Sequence, residues 1–154
     1  MKKLSIEKGW ALRVGDYSEE MARRKVSNSP NSTAFRFDVF DQDQRKKEIK
    51  NADIVISMLP AHLHYHVAKD CVVLGKSMAS ASYISDEIMS LNEEAAEKGI
   101  TILMECGLDP GIDHMSAMQV INSIKKKGEL LAFETFTGGL LAPSGKDNPW
   151  QYKF

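Results

Sequence analysis

The chain has 154 residues, 43% hydrophobic and 27% charged, the balance of a globular protein with room for one domain or one and a part. Its net charge of −1 gives no argument for nucleic acid or an anionic membrane surface as a partner. No apolar run approaches the ~20 residues that span a bilayer, no long apolar segment follows Met1-Lys2-Lys3, and two cysteines make no disulfide framework, so a reducing cytoplasm is expected.

Residues 4–12 mix polar and apolar side chains like a helix end. Gly9 then separates them from a short strand over residues 11–14, ended by Asp16. Ser18 is expected to cap the next helix, with Glu19 and Glu20 at its positive end. Residues 28–32, Asn-Ser-Pro-Asn-Ser, read as a loop. Residues 35–40 alternate as a strand does, and residues 42–50 read as a polar surface helix. Residues 52–59 are nearly all apolar, as in a parallel-sheet strand buried on both faces, and Pro60 ends them. A helix over 62–74 stops at Gly75, and a strand follows over 77–81. Ser85 caps a helix over 85–98 whose first turn holds Asp86 and Glu87, and Gly99 stops it. A strand over 100–104 leads to a helix over 113–127, where Lys125, Lys126 and Lys127 meet the negative end before Gly128. A strand over 131–137, the pair Gly138-Gly139 and a loop with Pro143 and Pro149 close the chain. Alternating strands and helices with short connections predict βαβ units in a parallel, doubly wound sheet. The character changes after Gly128, where a second group of elements is expected.

The stretch from Glu105 to His114, Glu-Cys-Gly-Leu-Asp-Pro-Gly-Ile-Asp-His, falls between the strand over 100–104 and the last helix. In open α/β sheets ligands bind at the carboxyl ends of the strands. Gly107 and Gly111 allow backbone angles and approaches that other residues resist, and Pro110 fixes the turn after Asp109. Two carboxylates and an imidazole suit a small polar ligand; Asp109 and Asp113 could each hold an ammonium group or cap a helix. Ser80, Ser82 and Tyr83 end a strand beside the same crevice, as ligand hydroxyls or as ordinary turn polarity. Asp16 is either a turn acid or the acid that accepts ribose hydroxyls in dinucleotide folds, though no G-x-G-x-x-G precedes it. His62, His64 and His66 lie at i, i+2 and i+4, and His62 and His66 share a helix face, but no nearby carboxylate or cysteine completes a metal site, so surface or core-edge histidines are expected and no metal. Cys106 is either a nucleophile or a small buried residue, and with no base at motif spacing the buried residue is expected. Gly138-Gly139 brings backbone near a ligand or makes a bend.

The Gly-Leu-Asp-Pro-Gly-Ile-Asp-His stretch resembles the motif of the saccharopine dehydrogenase (saccharopine reductase) family, glutamate-forming branch. Ser82-Tyr83-Ile84-Ser85 resembles that family's Ser-Tyr-Val-Ser turn, and residues 52–60 resemble its strand before the cofactor-side loop. Gly138-Gly139-Leu140, Ala142-Pro143, Asn148-Pro149 and Tyr152-Lys153-Phe154 resemble its Gly-Gly-Leu-Pro-Ala-Pro…Asn-Pro…Tyr-Lys-Phe segment. The resemblance implies a Rossmann-like cofactor domain over residues 1–113 and a linking helix with the start of a substrate domain over 114–154. It implies oxidation of saccharopine with a nicotinamide cofactor to aminoadipate semialdehyde and glutamate. By position, Gly15, Asp16 and Tyr17 meet the adenosine ribose, and Asp38 and Val39 lie by the adenine. Leu59, Ala81, Ser82, Leu108, Asp109 and Pro110 line the nicotinamide side, while Ser82, Tyr83 and Asp109 hold saccharopine. Relatives that use NADP have Arg-Thr where Asp16-Tyr17 stands, so NAD is expected, because a carboxylate repels the 2′-phosphate.

The chain departs from the family at Thr137, where many relatives have Cys, at Leu141 for Pro and at Ser144 for Glu. The family's first strand and glycine-rich loop find no counterpart in residues 1–15, so the chain is expected to be an internal fragment. Open edges on the strands flanking that gap make a homo-oligomer the expected state. Two other readings stay open: a non-catalytic Rossmann-like binding module, and a related C–N reductase acting on a carboxylated polyamine.

Overall fold

The computed structural model describes residues 2–27 and 29–136, in two compact units, Met1–Met115 and Ser116–Phe154. The first unit alternates helix and strand: α1 (Lys2–Lys8), β1 (Leu12–Asp16), α2 (Glu19–Val26), β2 (Ser32–Arg36), α3 (Gln42–Lys50) and β3 (Ile54–Ser57). A 3₁₀ turn (Ala61–Leu63), α4 (His64–Leu74), β4 (Ser77–Ser80), α5 (Asp86–Met89), α6 (Asn92–Glu97) and β5 (Ile102–Leu103) follow. α7 (Ile112–Lys125) begins in the first unit and continues into the second, where its last turn closes with Gly128 N–H donating to the Ile124 carbonyl at 3.1 Å.

All strand pairs are parallel, as the alternation requires. β1 pairs with β2, Leu12 opposite Ser32 and Asp16 opposite Arg36. β3, β4 and β5 form a second sheet in that order, with Ser57 opposite Ser80 and Ala79 opposite Leu103. Among the described residues β1 and β3 do not pair with each other. Each presents an edge to one cleft of about 150 Å³, lined by Arg13, Gly15, Ile49, Ile54, Ile56 and Val67 among others.

The core is built on α4. Val67, Ala68, Cys71 and Val72 pack with Met78 of β4, Ile88, Leu91, Ala95 and Met104. The Cys71 thiol is accordingly pushed up to about 12, by burial first and by the Asp70 charge second. A buried ion pair joins α3 to α4: Arg45 Nε donates to Asp70 Oδ2 at 2.6 Å, and Arg45 Nη1 also donates to the Val39 carbonyl. The polar helix 42–50 therefore does not lie wholly on the surface, since Arg45 and Ile49 are buried.

Caps fall where their chemistry places them. Ser18 Oγ accepts from Met21 N–H and Ser85 Oγ from Ile88 N–H, and Gly75 ends α4 in the left-handed conformation. Four expectations are corrected. The strand expected over 35–40 lies at Ser32–Arg36, because pairing with β1 sets the register; Phe37 N–H still reaches the Asp16 carbonyl, and then Asp38 Oδ1 takes Phe40 N–H and turns the chain. The helix expected over 62–74 starts at His64, after a 3₁₀ turn. The helix expected over 85–98 breaks into α5 and α6, where Ser90 Oγ donates to the Glu87 carbonyl and Leu91 N–H bonds Ile88. No strand forms over residues 131–136, where Leu131 and Phe136 are exposed; alternation alone does not make a strand without a neighbour to pair. Gly138, Gly139 and the residues to Phe154, with Thr137, lie outside the described residues.

Candidate functional site

The parallel register brings the carboxyl ends of β3 and β4 together, and the loops beyond β4 and β5 run side by side. Cys106 N–H donates to the Ser80 carbonyl and Glu105 N–H to the Ser82 carbonyl, both at 3.0 Å. Glu105 sits at φ 62, the left-handed region that non-glycine residues seldom adopt. The segment 105–114 is thereby laid against residues 80–84.

Gly107 and Gly111 shape this loop. Gly107 N–H donates to the Pro110 carbonyl at 2.9 Å, Ile112 N–H donates back to the Gly107 carbonyl at 3.0 Å, and the Asp109–Pro110 bond is cis. A side chain at Gly107 would reach Ala81 Cβ at 3.0 Å, so the loop and the end of β4 touch backbone to side chain. Pro110 is buried, and Leu108 and Asp109 are exposed at the rim.

Across this seam Tyr83 Oη donates to Asp109 Oδ1 at 3.2 Å. That hydrogen bond and the Asp109 charge push the phenol above its usual range, helped by desolvation, Asp113 and Glu105. Tyr83 is thus a neutral donor at physiological pH, on a loop whose facing charges are all negative. Asp113 has a different task. Desolvation raises its carboxyl, but hydrogen bonds from the His114 and Gly111 backbone and from the His114 side chain outweigh this and hold it below the ordinary range. Gly111 N–H meets Asp113 Oδ1 at 2.8 Å and His114 Nδ1 meets the same oxygen at 2.9 Å. Of the two acids read from the sequence, Asp113 fastens the loop to α7, while Asp109 faces Tyr83.

Behind the rim lies a cluster that sequence reading left among the edge histidines. His64 is 1% exposed. Its Nδ1 is 2.7 Å from Ser57 Oγ, and its Nε2 is 2.7 Å from Ser82 Oγ and 3.3 Å from Ser80 Oγ. Burial lowers its pKa, so the folded state favours the neutral ring. Stability from this burial is complete above the unfolded-state value of about 6.5 and falls as pH drops through it towards the lower folded value. Thermal unfolding between pH 7 and 5 should therefore show a steeper loss for the parent chain than for His64→Gln; equal slopes would contradict it. A Ser at the end of each of two adjacent parallel strands, with a His on the intervening helix, was the signal available in the sequence.

The remaining expected residues are more scattered. Gly15 and Asp16 end β1, with Asp16 Oδ1 taking Ser18 N–H at 2.8 Å. A Cβ at Gly15 would lie 2.7 Å from Phe37 Cβ. Tyr17 is exposed, and the Arg36 guanidinium stands 5.2 Å from its ring centroid. Asp38 makes the turn after β2, Val39 is a core residue and Leu59 packs partly buried against the core. Cys106 is exposed, correcting the expectation of a buried thiol, with Sγ 3.4 Å from the Met104 carbonyl. His62 lies in the 3₁₀ turn and His66 packs edge-on to Phe40 at 5.8 Å, so the two do not share one helix face; no metal-ligating cluster occurs among the described residues.

Two family models match the sequence: the saccharopine dehydrogenase NADP binding domain over residues 2–103 and the saccharopine dehydrogenase C-terminal domain over 107–154. The alpha-aminoadipic semialdehyde synthase of Arabidopsis thaliana is 46% identical over 134 residues, 86% of this chain and 13% of that protein. The saccharopine dehydrogenase [NADP(+), L-glutamate-forming] of Saccharomyces cerevisiae is 39% identical over 124 residues, 80% of this chain and 28% of that one. The solved apo saccharopine dehydrogenase (L-Glu forming) from Saccharomyces cerevisiae superimposes with a TM-score of 0.78 at 30% identity, covering 99% of this chain and 34% of its own. The chain thus spans about a third or less of the length of these relatives.

Proposed function

Because the chain belongs to the saccharopine dehydrogenase family, we propose that it carries the crevice of an NAD(P)-dependent oxidoreductase that oxidises saccharopine to aminoadipate semialdehyde and glutamate. The observation that carries this reading is the Tyr83–Asp109 pair, 3.2 Å apart on two loops at the carboxyl ends of β4 and β5. The residues present fit the ribose and nicotinamide ends of a dinucleotide: an exposed carboxylate, Asp16, ends β1, and Gly107 keeps the backbone close at Ala81 beside Ser82. A bound nicotinamide would supply the hydride acceptor for the carbon beside the substrate's secondary amine. Asp109 attracts that nitrogen while it is an ammonium, and Tyr83 donates to Asp109 and keeps its carboxylate oriented. Ser82 contributes a hydroxyl on the nicotinamide side. The substrate amine can release its own proton and water attacks the imine, so no residue is assigned as general base.

Calorimetry on the 154-residue chain tests this. Dinucleotide should bind, saccharopine should bind in its presence, and Asp109→Asn should weaken saccharopine about tenfold or more, as loss of a charge-assisted contact implies, and weaken it more than it weakens the dinucleotide. Absence of dinucleotide binding would overturn the reading for this chain.

For the dinucleotide, Asp16 supports NAD, since its charge repels a 2′-phosphate. One observation favours the opposite choice: Arg36 lies across from Asp16 in the β1–β2 register and beside Tyr17, where a guanidinium could pair with that phosphate. The description of the matching family model and the name of the Saccharomyces cerevisiae relative both specify NADP. Asp16→Asn should raise affinity for NADP relative to NAD by about tenfold, the effect of removing one near like charge. An unchanged ratio in competitive titrations would remove Asp16 as the determinant. The open edges of β1 and β3 support self-association of this chain, which light scattering would read directly.

A further inference from the structure

We propose that His64 is a positioning residue for Ser82: the buried imidazole, held by Ser57, fixes the place and the hydrogen-bonding direction of the Ser82 hydroxyl at the crevice. This rests on the reading of Ser82 as a ligand-facing hydroxyl. The supporting geometry is a chain of contacts through three elements. Ser57 closes β3, His64 opens α4, and Ser82 follows β4. The two 2.7 Å contacts lie on opposite nitrogens of one ring. A neutral imidazole carries one N–H, so the two serines cannot both be donors to it or both acceptors from it. If Nδ1 donates to Ser57, Nε2 must accept the Ser82 proton, and Ser82 offers the crevice only lone pairs. If Ser57 donates to Nδ1, Nε2–H donates to Ser82, and the Ser82 proton is free for a ligand oxygen. Ser80, 3.3 Å from Nε2 and 3.3 Å from the Ser82 backbone nitrogen, braces the same turn.

A ring that only filled space would need no such pairing. Among the described residues His64 Nε2 is the hydrogen-bond partner of Ser82 Oγ, so its rotamer is set by His64. The ring couples the two hydroxyls: whichever role Ser57 takes at Nδ1, Ser82 takes the opposite one at Nε2. Ser57 lies one residue past the run Ile54-Val55-Ile56 and is itself buried, which keeps competing water from that nitrogen.

Two measurements on the 154-residue chain test this. Long-range proton–nitrogen spectra report the His64 tautomer without any ligand. One neutral tautomer should dominate, and both Ser57→Ala and Ser82→Ala should shift its nitrogen resonances or redistribute the tautomers. An even mixture indifferent to either change overturns the proposal. The second measurement is a double-mutant cycle in dinucleotide binding. Ser82→Ala and His64→Gln should each weaken binding several-fold, and His64→Gln should add nothing in the Ser82→Ala background. Additive losses would mean that His64 acts by packing and would overturn the proposal. Ser57→Ala retains the imidazole and its bulk, so it serves where His64→Gln unfolds the chain. If the parent chain binds no dinucleotide, the functional reading fails while the nitrogen spectra still decide the His64–Ser82 coupling.

Discussion

Asp70→Ala should destabilise the first unit by about 3–5 kcal/mol, the range for removing one member of a buried ion pair. Asp70 is 3% and Arg45 6% exposed, and both side chains are enclosed between α3 and α4. Without Asp70 the guanidinium keeps its bond to the Val39 carbonyl but loses its counter-charge where water cannot replace it. A loss of that size is comparable to the whole stability of many domains, so the variant should be unfolded or nearly so at ambient temperature. Replacing both partners, as Arg45→Met with Asp70→Leu, should recover most of the loss, because packed apolar side chains leave no orphaned charge. Urea unfolding of the two single variants and the double variant measures this. A single variant within about 1 kcal/mol of the parent would show that the pair is solvated in solution, as exposed pairs of that small worth are.

If the crevice takes saccharopine as proposed, Gly111→Ala should weaken its binding by about tenfold to a hundredfold, the range for losing a charge-assisted contact such as that of Asp109. Gly111 sits at φ 146, which L side chains rarely adopt. A Cβ there would lie 2.7 Å from Gly107 N and 2.8 Å from Gly107 C, and closer still to the Gly107 oxygen. All three obstacles are backbone, so nothing can rotate away. The Gly107–Gly111 bridge would open and carry Asp109 away from Tyr83. Gly107→Ala should cost less, because its first obstacle is the Ala81 methyl at 3.0 Å, where a shift of tenths of an ångström suffices. Saccharopine titrations at a fixed dinucleotide concentration rank the two; equal binding by Gly111→Ala and the parent would contradict this account of the loop. Unfolding temperatures should fall less than binding does, since the loop is largely outside the core cluster.

Much of this organisation was legible locally. Ser18 and Ser85 cap helices, Gly75 and Gly99 stop them with positive φ, and the apolar run over 52–59 contains β3. The helix over 42–50 was read with its full bounds. Each of these signals acts within a few residues: a side chain bonds its own turn, or a backbone angle suits only glycine. The alternation of elements likewise placed 105–114 at the carboxyl ends of parallel strands, and the candidate residues Ser82, Tyr83 and Asp109 with it.

What lay beyond the sequence was which distant side chains bond to one another. Arg45 and Asp70 are 25 positions apart and Tyr83 and Asp109 are 26 apart, with no period linking them. The register of β2 followed from its partner: Phe35, Phe37 and Val39 alternate, yet the strand ends at Arg36 because β1 offers only Leu12 to Asp16. His64 looked like its neighbours His62 and His66, and only the packing of α4 against the ends of β3 and β4 buries it among three serines. Propensity, capping and glycine angles belong to the local chain, so the sequence alone determined where elements and the crevice loop fall. Burial and charge pairing arise only when elements meet, and so the tertiary structure decided which histidine, which acid and which arginine matter.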